Sequence, residues 1–514
     1  MKREADRCVG RYAWYALGVL LLVYTINFID RQVLGILAQD IKRDLGVSDA
    51  DLGFLYGTAF GVFYALFGIP FGRLADHWHR VRLMTLGLML WSFMTALSGM
   101  ARSGASLAVA RIGVGVGEAT ASPCAYSLIS DYFPKRLRST ALSIYSAGVY
   151  LGAGLSLYIG GAVVLNWNRT FGAHGPFGLA GWQAAFLAVG LPGLLLAIWV
   201  ASLREPLRGQ SEGIITPPSR QPFHAFFMEL MTTLPPLTLI AAARLGRNAL
   251  LINLAGLMGI AVIATMLIRV SGDSAQWIAM GIGSYAIYSW AMALRDRDSP
   301  LFRLTIGSPT FLCIIVGYGL NNFIKYSISF WASPYALRAF ASPADSTGLF
   351  VGGAGAVGGF LGVIAGGRVA DYWRERNPSG HVGVMLFASC TPVLPILIAF
   401  STRSQTLFYA MLLLAQALGS CALGAAAASI QDLVLPRMRG TATAVFFVGS
   451  TMLGLALGPY VTGKISSVTG NLSLGVFALL LSVPLAFALL LRAYKHFPEV
   501  EARRIERAQA AGES

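Results

Sequence analysis

Apolar residues in this chain run in long blocks, and the polar positions fall in short clusters between them. A helix needs ~20 consecutive apolar residues to cross the hydrocarbon core of a bilayer, and block after block reaches that length. The blocks predict a first span over residues 12–38 and a second that runs into a charged turn at Gly72. A third follows over 83–101 and a fourth over 106–130. A fifth starts after Pro134-Lys135-Arg136-Leu137-Arg138 and stays glycine-rich through Gly161, and a sixth covers 182–203. After an interruption come spans over 311–331, 348–366, 382–400, 407–430, 441–464 and 474–494. Between the two sets, 216–222 reads as a proline-rich loop and 223–231 as a short interfacial helix. Two further apolar runs occupy 249–268 and 275–294. The prediction is an all-α membrane protein with twelve core spans plus two.

The polar clusters repeat. Gly72-Arg73-Leu74-Ala75-Asp76-His77-Trp78, with Arg80 beyond, returns as Gly367-Arg368-Val369-Ala370-Asp371-Tyr372-Trp373, with Arg376 beyond. Asp131, Arg138, Ala141 and Gly148 recur at the same spacings as Asp432, Arg439, Ala442 and Gly449. Two related halves in parallel order mark a duplicated transporter architecture. The expected division is a six-helix bundle at 1–203, an inserted loop with two extra helices at 204–305, a second six-helix bundle at 306–494 and a polar tail at 495–514. An even number of inserted spans keeps both halves in the same orientation.

Composition agrees with this pattern. Hydrophobic residues make up 55% of the chain and charged residues 12%, which excludes a soluble fold. The net charge of +15 suggests nucleic acid only until its distribution is counted. With the N-terminus inside, the inner loops and tails hold 28 Lys and Arg against 8 in the outer loops. That bias predicts cytoplasmic termini and cytoplasmic charged turns in a plasma membrane or bacterial inner membrane, with no nucleic-acid partner. The first apolar run is long and carries Asp30-Arg31, so no cleavable leader is expected. Cys8, Cys124, Cys313, Cys390 and Cys421 show no paired or metal-ligand spacing, and no metal or cofactor is expected.

Charges at membrane depth are costly and mark function. Asp30 and Arg31 lie past the midpoint of span one, Arg111 and Glu118 lie on span four, and Lys325 lies on span seven. Glu118 stands seven residues after Arg111, two turns along nearly the same face. Asp30 and Glu118 are the two acids well inside spans, so they are the expected proton sites. Arg31 and Arg111 can pair with them or with a phosphate, with Arg111, which Glu118 two turns away can release, the first candidate and Arg31 beside Asp30 the second. Asn321, Asn322 and Tyr326 flank Lys325 as candidate cavity residues. At the first charged turn, Arg73, Asp76, Arg80, Asp131 and Arg138 are expected to form a cytoplasmic latch, with Asp76 accepting from Arg138. Arg368, Asp371, Arg376, Asp432 and Arg439 are their counterparts in the second half.

The phrase Gly72-Arg73-Leu74-Ala75-Asp76 with Arg80 resembles the cytoplasmic loop motif of the major facilitator superfamily, and through the repeat the resemblance covers the whole chain. Asn27-Phe28-Ile29-Asp30-Arg31 and Arg111-Ile112-Gly113-Val114-Gly115-Val116-Gly117-Glu118-Ala119 further resemble the spinster family, whose members transport lysophospholipids and sphingosine-1-phosphate. The resemblance implies proton-coupled alternating access by a monomer, with an amphipathic anionic lipid or lysolipid as substrate. The two extra spans depart from the usual twelve.

Three other functions compete. A small organic anion symporter also suits Asp-Arg on span one. A multidrug exporter needs an acidic, aromatic cavity, whereas the embedded charges here are three positive and two negative. A receptor or scaffold has no need of intact motifs in both halves. Nothing resembles an enzyme: no histidine cluster, nucleophile motif or metal spacing occurs.

Overall fold

The computed structural model describes residues 10–172, 175–208, 221–435 and 438–512. All regular elements among them are helices. Twelve helices are long and apolar enough to cross a membrane. They comprise every expected core span except the fourth, together with the first inserted span, Arg247–Ser271. Span four is divided into Gly104–Glu118 and Ala121–Tyr132. The break follows from Thr120, whose hydroxyl donates to the Gly117 carbonyl at 2.8 Å and competes with the regular helix ladder. The second inserted span is Ser274–Arg297, a more polar helix carrying Gln276, Ser284 and Ser289. The basic leader Lys2, Arg3 and Arg7, positions 216–220 of the proline-rich loop and the side chain of Arg138 lie outside the described residues.

Sequence punctuation sets several helix ends. Ser48 caps the helix that opens span two, accepting from the Asp51 amide at 3.1 Å while Asp51 accepts from the Ser48 amide at 2.8 Å. The interfacial helix expected at 223–231 is present as Pro222–Thr233, and a second arm, Leu237–Leu245, meets it at 95°. Pro235 and Pro236 separate the arms, since neither can donate a backbone hydrogen bond to continue the first helix.

The chain forms two compact units. One takes residues through Leu45, then Leu66–Leu230 and Pro343–Gly352; the other takes Gly46–Ala65, Met231–Ser342 and Gly353–Ser514. In the first unit, span one packs along span five. A Cβ added at Gly152 would stand 2.4 Å from the Thr25 carbonyl oxygen, so this backbone approach requires glycine. Pro343–Gly352, the start of span eight, lies against span five in the same unit, with a Cβ at Gly348 falling 2.2 Å from the Leu157 carbonyl oxygen.

In the second unit, the start of span two packs on span eleven. Each of these helices contains a wide π-type turn, at Phe54–Thr58 and Thr451–Ala456, and the turns face each other across Gly57. The core of this unit gathers Phe311, Ile314 and Tyr318 of span seven with Val382, Met385, Phe446 and Leu490. Helix Ser274–Arg297 docks here too. Thr58 donates to Gln276 at 2.6 Å, and Asp273, just before the helix, pairs with Lys464 at 2.8 Å and accepts from Tyr460 at 2.6 Å.

Candidate functional site

The four embedded charges of the first half converge in the first unit. Asp30, Arg31, Arg111 and Glu118 are all buried. Arg31 donates to Glu118 through Nη2 at 2.6 Å and Nε at 3.2 Å. Arg111 donates through Nη1 to the backbone carbonyl of Asp30 at 3.2 Å. Residues adjacent on a helix project about 100° apart, so Asp30 and Arg31 serve different directions. The Asp30 carboxylate oxygens accept no hydrogen bond among the described residues, and Thr95 flanks them. The shared helix face of Arg111 and Glu118 therefore does not make them the closest pair. Glu118 is taken by Arg31 from another helix, while Arg111 serves the backbone of span one.

An aromatic wall adjoins these charges. The Arg31 guanidinium lies 4.7 Å over the Phe28 ring. Phe28 meets Tyr24 edge-on at 5.2 Å, and Tyr24 stacks on Tyr145 at 4.3 Å. Tyr126 closes on Tyr145 at 5.7 Å. Tyr24 is one helical turn before Phe28, a spacing that is visible in sequence; Tyr126 and Tyr145 carry no such signal.

In the second unit, Lys325 has no acidic side chain within ion-pair distance among the described residues. Asn321 and Asn322 are buried beside it on span seven. Asn321 donates weakly to the Gly419 carbonyl at 3.4 Å. Gly454 makes room for Asn322, whose Cβ would stand 2.6 Å from an added Cβ. Tyr326 is partly buried one residue beyond Lys325.

The first charged turn builds its network around Arg80. Its side chain is fully buried. It donates to Glu205 at 2.7 Å, to the Ser127 hydroxyl at 2.9 Å, to the Pro206 carbonyl at 2.8 Å and to Asp131. Arg208 donates to the Ala75 carbonyl at 2.6 Å. Asp76, expected at the centre, is exposed and makes no ion pair among the described residues, because Asp131 and Glu205 occupy the arginine. Among the described residues, Arg73 reaches only Glu229 as an ion-pair partner, at 4.0 Å. At the second turn, Asp432 is approached by His381 at 3.2 Å and Arg374 at 3.6 Å. His381 also stands 3.9 Å from Asp371, and Arg374 pairs with Glu501. Arg376 lies over Tyr372 instead, at 4.1 Å, while Arg368 and Arg439 are exposed.

Sequence reasoning did not single out Glu205, Arg208, His381 or Glu501, and of Arg374 and Arg376 beyond the second phrase it gave the latch role to Arg376. It also missed a clasp in the second unit, where Asp49 accepts from both terminal nitrogens of Arg338 at 2.7 Å and from Ser466 at 2.6 Å. The two-pronged geometry is one that arginine and carboxylate share.

Known proteins match this architecture. A sequence profile described as Major Facilitator Superfamily matches residues 20–342. An MFS-type efflux pump of Mycolicibacterium smegmatis is 27% identical over 91% of this chain and 88% of its own. Protein spinster homolog 1 of Xenopus tropicalis is 26% identical over 87% of this chain and 72% of its own. Among solved structures, a bacterial homolog to the human lysosomal transporter spinster, inward-facing and unoccupied, is 25% identical with a TM-score of 0.67, covering 97% of this chain and 98% of that one. The chain is a multi-pass membrane transporter, similar to spinster proteins, and belongs to the Major Facilitator Superfamily.

Proposed function

We propose that the chain is a proton-coupled transporter of an amphipathic anionic lipid, a lysophospholipid or sphingoid phosphate, working by alternating access. The observation that carries this reading is the buried Arg31–Glu118 pair beside the hydrogen-bond-poor carboxylate of Asp30. Protonating Glu118 removes the charge that holds Arg31. The guanidinium then needs another anion, because an unpaired buried charge is strongly disfavoured. A phosphate fits its fork geometry, and Arg111 is the second candidate cation. Asp30 and Glu118 are the proposed proton sites. Tyr24, Phe28, Tyr126 and Tyr145 offer apolar surface to an acyl chain. Lys325, with Asn321, Asn322 and Tyr326, offers a further cation and polar groups. The positive-inside bias supports a cytoplasmic side for both termini and both charged turns.

The test measures binding of a phosphorylated lysolipid and of an uncharged monoacylglycerol of equal chain length to the purified protein across pH. Wild type should bind the phosphorylated ligand more tightly as pH falls. Glu118→Gln should bind it tightly at every pH, and Arg31→Lys should weaken it at least tenfold while sparing the uncharged ligand. Equal losses for both ligands would sink the phosphate assignment. A second reading, export of hydrophobic drugs, is favoured by the mycobacterial efflux relative. It gains if a lipophilic cation competes with the lysolipid and Arg31→Lys leaves that cation bound.

A further inference from the structure

The inserted helices enclose a cavity of about 300 Å³ in the second unit. It lies between Thr232 and helix Leu237–Leu245 on one side and the hairpin Arg247–Ser271 and Ser274–Arg297 on the other. Thr238, Asn253 and Ser289 line it and are buried, while Asn248, Arg295 and Asp296 line it from exposed positions. Polar walls are unexpected here. Helix Arg247–Ser271 is otherwise an apolar surface with Leu251, Met258 and Ile263 more than half exposed.

Asn253 is the informative residue. It is the one buried residue of that helix, at 4% exposure. Its Nδ2 donates to the Ala249 carbonyl at 3.1 Å, which fixes the amide orientation. Its Oδ1 is buried without a hydrogen-bond partner. A buried acceptor in that condition calls for a donor from outside the protein. The rim adds two further chemistries. Asn248 and Ala249, in the first turn of a 25-residue helix, line the cavity together with Arg295, a setting for phosphate. The Asp296 carboxylate supplies a setting for a cation.

We propose that this cavity binds a phosphodiester bearing a primary ammonium, and that the ligand is the headgroup of an ethanolamine phospholipid from the surrounding leaflet. The ammonium donates to Asn253 Oδ1 and pairs with Asp296. The phosphate meets Arg295 and the helix start. The acyl chains lie along the exposed apolar face of Arg247–Ser271. Choline carries no N–H to give Asn253, and a glycerol headgroup brings no cation for Asp296. None of these residues belongs to the Arg31–Glu118 cluster, so the site stands or falls apart from the transport reading.

Native mass spectrometry of the delipidated full chain with chain-matched phosphatidylethanolamine, phosphatidylcholine and phosphatidylglycerol tests the assignment. Wild type should retain phosphatidylethanolamine about tenfold over either competitor, the value of one well-made charged hydrogen bond. Asn253→Leu and Asp296→Asn should each abolish that preference. Asp296 is exposed, so its variant keeps the fold even if Asn253→Leu does not. Equal retention of the three lipids, or a preference that survives Asp296→Asn, overturns the proposal and leaves water as the occupant. Soluble glycerophosphoethanolamine should fail to displace the lipid at equal concentration. Displacement there would overturn the membrane source in favour of a soluble phosphodiester.

Discussion

The two charged turns share five of seven residues in their phrase, yet they are built differently. In the first, Arg80 is fully buried and satisfied by Glu205, Asp131, Ser127 and the Pro206 carbonyl. In the second, Arg374 does the equivalent work with its side chain 25% exposed, and His381 shares Asp432 with it. Glu205 and Glu501 are 296 residues apart, as are Arg208 and Arg504, within one residue of the 295 that separates the two phrases. Arg504 donates to the Asp432 carbonyl at 2.8 Å, while Arg208 serves the backbone at Ala75. The motif positions the acids; burial of the arginine that meets them decides how tightly each turn is held.

This comparison can be broken by measurement. Arg80→Met leaves Asp131 and Glu205 without their buried counter-ion and should cost about 3–5 kcal/mol, read as a large fall in the thermal midpoint of purified protein. A fall no larger than that of Arg374→Met would erase the distinction. Glu205→Gln should cost about 1–3 kcal/mol, because it uncouples Arg80 and the Val81 amide together. Arg374→Met should cost about 1 kcal/mol or less, since solvent screens its pairs. Raising salt should narrow the gap between wild type and Arg374→Met while leaving the Arg80→Met deficit in place. Asp76→Asn should change stability by no more than ~0.5 kcal/mol, for an exposed carboxylate with no ion pair among the described residues. A larger loss would restore Asp76 to the centre of the latch.

Much of the molecule was legible in the chain. Spans follow from the length of apolar runs, and the repeat follows from direct self-comparison. The embedded charges Asp30, Arg31, Arg111, Glu118 and Lys325 stood out because charged residues are rare inside the apolar runs. Their partners did not. Spacing along one helix reports a shared face, and it cannot report which side chain arrives from a neighbouring helix; Arg31 taking Glu118 is such a case. Glu205 and Glu501 were hidden for another reason. An acid just past a span resembles any interfacial charge, and the 296 residues between these two match neither the 295 of the phrase nor the 301 of the Asp131 and Asp432 pair. The break in span four and the second arm Leu237–Leu245 depend on Thr120 and on Pro235-Pro236, residues that also occur in unbroken connections.

The facing π-type turns at Phe54–Thr58 and Thr451–Ala456 carry one consequence for helical phase. Such a turn holds one residue more than the regular winding, and each residue of a helix advances the azimuth by about 100°. The extra residue therefore rotates everything before Phe54 relative to everything after Thr58. Asp49 meets Arg338 and Ser466 in the phase that the wide turn sets. Deleting one residue from Phe54–Thr58 would wind the helix regularly, swing Asp49 away from both partners and leave the apolar stripe of span two otherwise intact. A shift of helical phase alone would thus uncouple the clasp from the helix that carries it.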